Sequence, residues 1–157
     1  MSTAKNIPAQ TGTALYLVSL GCYKNLVDTE VIAGTLLTSG RTLAFEPDEA
    51  DLYVINTCAF IPAARDEARE AIEDGIAWKQ EKPGRLLVVA GCLTEWDKDG
   101  SVRKEYPEVD LWTGVNQVAD IARLLDRQSA LPKNAEEPVY LYDDCTPRLQ
   151  LTLPHLA

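Results

Sequence analysis

Three short apolar stretches, each followed by a cysteine, constrain the fold of this chain more than any other feature of its sequence. Residues 14–20 read ALYLVSL, residues 52–57 read LYVINT and residues 86–91 read LLVVAG, and the cysteines that follow them are Cys22, Cys58 and Cys92. Nearly continuous apolar runs of this length are typical of parallel strands that are covered on both faces. We therefore predict three buried strands that each deliver a thiol just past the carboxyl end.

Helical patterns alternate with these strands. Asn25 is expected to cap a helix after the first strand, and Pro62 is expected to open a helix after Cys58. The predicted buried stripe of the second helix consists of Ile61, Ala64, Ala68, Ile72 and Ile76, and its predicted solvent face carries Asp66, Glu67, Glu70, Glu73 and Asp74. Further strands are predicted at 42–45 and 109–112, and further helices at 93–106, interrupted at Gly100, and at 116–127.

This alternation predicts the fold class and the division of the chain. We expect a three-layer α/β domain with a mostly parallel sheet of roughly five strands. A flavodoxin-like strand order, 2-1-3-4-5, would make the three cysteine-bearing strands neighbours. The predicted domain covers residues 14–127, after a flexible leader at 1–13. Residues 128–157 contain four prolines and are expected to be a linker.

The three predicted strand ends would bring the thiols to one edge of the sheet. Adjacent strands lie about 4.8 Å apart, so three neighbouring strands could hold their thiols within roughly 10 Å of one another. The helix N-termini that follow are expected to favour thiolate over thiol. Ligation by cysteine alone suits an iron–sulfur cluster or zinc, and three ligands leave one coordination position open. The sequence thus favours a metal site at Cys22, Cys58 and Cys92.

Each of these cysteines, taken alone, could simply be a small buried residue packed at the end of a strand. The shared position of all three favours metal binding over that interpretation. The fourth cysteine, Cys145, and the single histidine, His155, lie in the proline-rich segment. They are predicted to be a free surface thiol and a linker residue.

Charge and hydropathy limit the possible partners. Fifteen Lys and Arg residues against 24 Asp and Glu residues give a net charge of −9, which disfavours direct binding of nucleic acid and favours a basic partner. No apolar run approaches the roughly 20 residues of a membrane span, and no convincing export signal precedes the first strand. We expect a cytoplasmic protein that does not contact membranes, in a reducing compartment where disulfides are rare.

Three motifs resemble one known family. GCYKNLVDTE at 21–30, NTCAFI at 56–61 and GCL at 91–93 resemble the amino-terminal domain of the radical-SAM methylthiotransferases. The KNLVD core and the Phe-Ile pair after the second cysteine are similar to the RimO-like branch, which modifies an aspartate of a small-subunit ribosomal protein. The resemblance covers roughly residues 14–127.

The resemblance implies a cofactor and a reaction. Carried onto this sequence, the family's three ligands of an auxiliary [4Fe–4S] cluster fall on Cys22, Cys58 and Cys92, and the free iron would hold the sulfur to be transferred. The implied substrate is a basic ribosomal protein. The CxxxCxxC run that would hold a second [4Fe–4S] cluster and S-adenosylmethionine is absent. The chain is therefore expected to be a fragment without the radical-SAM core and inactive by itself.

The sequence departs from the family pattern at two points, and three rival functions stay open. Tyr23 stands where the family usually has proline, and Leu93-Thr94-Glu95-Trp96 differs from its usual glutamine and arginine.

The first rival function is that of a tRNA-modifying, MiaB-like methylthiotransferase, which the acidic charge disfavours. The second is a flavin- or nucleotide-binding module, although no G-x-G-x-x-G loop follows a strand. The third is a structural zinc domain, which would normally supply four ligands.

Overall fold

The fold is a parallel β-sheet with helices on both faces. A computed structural model of the chain describes residues 13–21, 23–115, 120–130 and 139–141. The strands are β1 (Ala14–Ser19), β2 (Thr42–Leu43), β3 (Leu52–Thr57), β4 (Leu86–Gly91), β5 (Leu111–Thr113) and β6 (Val139–Leu141). The helices are α1 (Tyr23–Thr38), α2 (Pro62–Glu81), α3 (Cys92–Trp96), α4 (Ser101–Glu105) and α5 (Ile121–Ala130), and a 3-10 turn spans Pro47–Glu49.

The strand order is β2-β1-β3-β4-β5-β6, and every neighbouring pair is parallel. The predicted fold class and the predicted order of the first five strands are confirmed. A sixth strand, Val139–Leu141, adds to β5 within the segment that was expected to be a linker. Three residues give almost no periodic signal, so the sequence did not reveal this edge strand.

The central strands are covered on both faces, as their continuous apolar character predicts. All six residues of β3 are buried. Tyr53 and Ile55 pack with Ile72 of α2 on one face. The alternate residues Leu52 and Val54 pack with helices α1 and α5 on the other face. This alternation makes a three-layer sandwich with β3 and β4 at its centre.

Two local predictions are wrong. The first concerns Asn25, which was expected to cap α1. The helix already begins at Tyr23, and the Asn25 side chain bonds to neighbouring segments instead. The second concerns Ile61, which was assigned to the buried stripe of α2 but is 50% exposed. Pro62 opens the helix as predicted, which leaves Ile61 as an extended residue before the first turn.

Other helix predictions are confirmed. The helical segment after β4 is interrupted at Gly100, which has a left-handed backbone between α3 and α4. The five carboxylates predicted on the solvent face of α2 are all exposed. Within the described part of the chain, no helix has both the length and the apolar character that a membrane crossing requires.

Candidate functional site

Two of the three predicted cysteines lie side by side at the carboxyl edge of the sheet. Thr57 and Gly91 are register partners at the ends of β3 and β4, and Cys58 and Cys92 are the next residues of the two segments. Both thiols are free; Cys58 is buried, and Cys92 is half-buried. Cys22 lies outside the described residues, but its neighbours Gly21 and Tyr23 are described. We call this edge, with the loops that follow β1, β3 and β4, the cysteine edge.

The glycine before Cys22 contacts Cys58 directly. Gly21 has a φ of +88°, and a Cβ added to it would lie 2.8 Å from the Cys58 sulfur. Only glycine combines this backbone conformation with so close an approach. The backbone that leads into Cys22 therefore packs against Cys58, which brings the first cysteine-bearing segment to the other two.

The glycine before Cys92 is held in a similar way. Gly91 has a φ of +96°, and a Cβ there would lie 2.5 Å from Asn56 Oδ1 and 2.7 Å from the Thr57 carbonyl oxygen. The end of β4 thus packs tightly on the end of β3. Both Gly-Cys pairs require glycine because the backbone at Gly21 and at Gly91 lies in contact with the carboxyl end of β3.

Buried polar side chains connect the segments beneath the thiols. Asn25 donates through Nδ2 to the Asn56 carbonyl oxygen at 3.0 Å and also to the Leu20 carbonyl oxygen. Asn56 returns a bond from its own Nδ2 to the Asn25 carbonyl oxygen at 2.9 Å and donates to Thr29 Oγ1 at 2.9 Å. These reciprocal bonds fix the start of α1, which follows Cys22, against β3.

A second set of contacts fixes the other side of the cysteine edge. The Thr57 hydroxyl donates to the Ala90 carbonyl oxygen at 2.6 Å and accepts from the Leu93 amide at 3.1 Å. Arg65 donates to the Ala59 carbonyl oxygen at 2.9 Å, and its guanidinium lies 4.5 Å from the ring centre of Trp96. The loop after Cys58 and the helix that begins at Cys92 are thereby tied together.

The pKa of the Cys92 thiol is shifted in the direction opposite to the one that the sequence predicts. Burial raises the pKa of the Cys92 thiol above its ordinary value, and the neighbouring Cys58, Glu95 and Asp28 raise that pKa further, whereas Lys24 lowers it. The expected preference of Cys92 for the thiolate form is therefore wrong for the metal-free protein. Burial and like charge outweigh the short helix α3, whose five residues carry only a small dipole.

Exposed apolar side chains surround the cysteine edge. Tyr23 is 82% exposed, Phe60 89%, Ile61 50% and Trp96 48%. Each lies within four residues of one of the three cysteines. Their exposure so close to the three cysteines makes this edge a candidate contact surface.

Sequence reasoning located the thiols but missed the residues that hold the segments together. Asn56 and Thr57 are completely buried at the end of an otherwise apolar strand. Buried polar residues at that position were the available signal, because such residues need hydrogen-bond partners. Cys145 and His155 lie outside the described residues, so their predicted roles stay predictions.

The donor set is compatible with an iron–sulfur cluster. Among the described residues, no group of three or more His, Cys, Asp or Glu side chains could hold a metal ion. Those residues include only Cys58 and Cys92 of the three predicted ligands. Two free thiols on neighbouring strand ends, with the backbone before a third cysteine against one of them, match cysteine-only ligation. The assignment of all three as ligands stays a prediction.

The fold and this edge define a class: a parallel α/β domain that gathers cysteine-bearing segments at the carboxyl ends of neighbouring strands. Comparison with known protein families agrees with that description. Residues 14–114 match the family model described as "Uncharacterized protein family UPF0004", and the chain belongs to this family.

The curated relatives are methylthiotransferases. The chain is 42% identical over 140 residues to "Ribosomal protein uS12 methylthiotransferase RimO" of Solibacter usitatus. The aligned region covers 89% of this chain and 30% of the relative. It is 39% identical over 153 residues to the protein of the same name from Bdellovibrio bacteriovorus, with coverage of 91% and 32%. The predicted resemblance to RimO-like methylthiotransferases is thereby confirmed. The chain spans about 30% of the length of these relatives.

Proposed function

We propose that this chain is the auxiliary [4Fe–4S] domain of a methylthiotransferase that modifies an aspartate of a small-subunit ribosomal protein. The observation that carries the proposal is the convergence of cysteine-bearing segments at one edge. Cys58 and Cys92 follow a register pair of neighbouring strands, and the backbone before Cys22 lies against the Cys58 sulfur. Cys22, Cys58 and Cys92 would hold the cluster.

The chemistry of the site supports this cofactor. Thiolate ligands suit iron–sulfur clusters, and a cluster held by three cysteines would supply one iron at which the sulfur to be transferred can bind. Cys58 is buried, which limits the access of water to that side of the site. Cys92 is only half-buried, which would leave part of the site accessible to a substrate.

The substrate proposal combines the relatives with the charge of the chain. The relatives are named for ribosomal protein uS12, and ribosomal proteins are generally basic. A domain with a net charge of −9 attracts a basic protein and repels RNA. We therefore favour a protein substrate in the cytoplasm over the tRNA substrate of a MiaB-like enzyme.

The test of the cofactor is anaerobic reconstitution of the 157-residue chain, followed by iron, sulfide and zinc analysis and an absorption spectrum. Iron and sulfide in equal amounts would support the proposal. Zinc without sulfide would replace it with a structural zinc domain, and a bound flavin spectrum would replace it with a flavin module.

The ligand assignment has its own variants. Cys22→Ala, Cys58→Ala and Cys92→Ala should each lose most of the reconstituted iron, because each removes one of three thiolates. Cys145→Ala is the matched control and should retain the wild-type content. Equal iron in all four variants would overturn the assignment. Since only Cys145 remains beyond the three ligands, the chain alone should not hold a second cluster or cleave S-adenosylmethionine.

A further inference from the structure

The side chain of Asn56 contacts segments on both sides of the central strand. It is completely buried, two residues before Cys58 in the sequence. Its Nδ2 donates to the Asn25 carbonyl oxygen and to Thr29 Oγ1 of α1, the helix that follows Cys22. Its Oδ1 faces Gly91, the residue before Cys92, at contact distance. One planar amide thus meets the cysteine-bearing segments on either side of its own.

We propose that Asn56 is a positioning residue that sets the relative placement of the three cysteine-bearing segments. The inference deepens the proposed cluster site and rests on it for its biological meaning. Asn56 does not bind metal in this arrangement; it acts through the segments that carry the thiols. Its main chain contributes as well, since the Asn56 carbonyl oxygen accepts bonds from the Leu20 amide at 3.0 Å and from Asn25 Nδ2 at 3.0 Å.

The surroundings of Asn56 argue against a role in stability alone. Within the described residues, Asn56 Oδ1 is buried without a hydrogen-bond partner. An unsatisfied buried acceptor is unfavourable, and an apolar side chain of similar shape would avoid that cost. What an apolar residue would not supply is the pair of directional bonds to α1 together with a small oxygen against Gly91. The two bonds set the distance between α1 and β3, and the oxygen sets the distance between Gly91 and β3.

The geometry predicts separable effects on the two sides. Thr29→Val removes the hydroxyl that accepts from Asn56 and that also bonds Ser19 Oγ and the Asn25 carbonyl oxygen, so it should loosen α1 and Cys22 relative to Cys58 and leave the Gly91 side intact. Asn56→Leu removes both donated bonds and puts a methyl group, larger than oxygen, against Gly91. This second variant should therefore misplace Cys22 and Cys92 together.

The test measures thiol placement in the metal-free chain, in a Cys145→Ser background. Dibromobimane, which fluoresces once it bridges two thiols, would report the Cys22–Cys58 pair in a Cys92→Ser chain. It would report the Cys58–Cys92 pair in a Cys22→Ser chain. Asn56→Leu should slow bridging of both pairs by about tenfold, because small misplacements strongly reduce the rate of an oriented reaction. Thr29→Val should slow only the Cys22–Cys58 pair.

Ile72→Ala is a control that should lower the stability of the chain without moving the cysteine-bearing segments. Ile72 is fully buried in α2, packs in the apolar core and takes no part in the hydrogen bonds of the Asn56 side chain. This variant should bridge both pairs within about twofold of the wild-type rate, since a core cavity lowers stability without moving the strand ends. Circular dichroism would verify folding, and Thr29→Val keeps the inference testable if Asn56→Leu does not fold.

Reconstitution separates the inference from the proposed function. If the wild-type chain takes up iron and sulfide, Asn56→Leu should shift the reduction potential of its cluster or lose iron. Wild-type bridging rates in both Asn56→Leu and Thr29→Val would overturn the inference even when the cluster binds. A wild-type chain that takes up no iron would overturn the proposed function, while the bridging rates would still decide the positioning role.

Discussion

Gly91 and Gly84 both have a positive φ but differ completely in their surroundings. Gly91 has a φ of +96° with its α-carbon against Asn56 and Thr57, whereas Gly84 has a φ of +83° with nothing within 4 Å of an added Cβ. Gly91→Ala should lower the free energy of unfolding by about 1–2 kcal/mol from backbone strain and about 1–3 kcal/mol from crowding. Urea unfolding would measure it.

Gly84→Ala is the matched control for this prediction. It carries the backbone strain without the contact, so its loss of stability should be only about 1–2 kcal/mol. The additional loss in Gly91→Ala reports the packing of β4 on the end of β3 together with the ψ of −152° at Gly91, which glycine adopts far more readily than alanine. Equal losses would show that glycine is needed at position 91 for its backbone conformation only and that its contact with Asn56 has no energetic weight.

At the residue scale, the sequence predicted the thiols but not the amides beneath them. Cys22, Cys58 and Cys92 could be recognised because the same strand-then-cysteine pattern repeats three times. Asn25 was interpreted from its local preference for helix caps. Its actual partners, the carbonyl oxygens of Leu20 and Asn56, depend on the pairing of β1 with β3, which no local pattern specifies.

At the scale of elements, α4 depends on one buried carboxylate. Asp97 is 1% exposed, and its oxygens accept from the Val102 amide at 3.0 Å and from the Arg103 amide at 3.0 Å. The Arg103 side chain also pairs with Asp97 at 3.2 Å. This carboxylate therefore satisfies the free amides at the start of a helix of only five residues, which could not form without such support.

Asp97→Ala should reduce the free energy of unfolding by about 3–5 kcal/mol, because it leaves the Arg103 charge and two helix amides without this partner in a buried setting. Amide hydrogen exchange of α4 should accelerate together with the loss of stability in urea. Asp99→Ala is the control: Asp99 is exposed and accepts from the Ser101 amide at 3.0 Å near the surface, so global stability should hardly change. Similar losses in both variants would contradict the buried role of Asp97.

Element prediction succeeded where burial and periodicity agree. β3 and β4 are continuous apolar runs, and both are covered by helices on two faces, so their existence and direction followed from composition. The interruption of the helical segment at Gly100 was also predictable from the sequence. The strand β6 was not, because three residues at a sheet edge are specified by their pairing with β5 rather than by any pattern of their own.

At the scale of the whole molecule, the exposed carboxylates fall into groups that differ in how close they lie to the proposed site. The carboxylates Asp66, Glu67 and Glu70 are exposed on the first half of α2, the half that follows Cys58 and lies nearest the cysteine edge. The carboxylates Glu46, Asp48 and Glu49 are also exposed, but they precede β3 and lie at the opposite edge of the sheet. Only the first group adjoins the proposed site.

Reversal of these two groups tests whether the charge guides a basic substrate. In a full-length methylthiotransferase that carries this domain, changing Asp66, Glu67 and Glu70 to lysine should slow the association of ribosomal protein uS12 by roughly tenfold at low salt. The effect should shrink as ionic strength rises, because salt screens charges beyond about 10 Å. The same reversal at Glu46, Asp48 and Glu49 alters net charge equally and should slow association much less. Stopped-flow binding would measure both rates, with iron content as the check that the cluster is intact. If both triple variants associate equally fast, the acidic face of α2 serves solubility, and the substrate proposal depends on the similarity to the relatives alone.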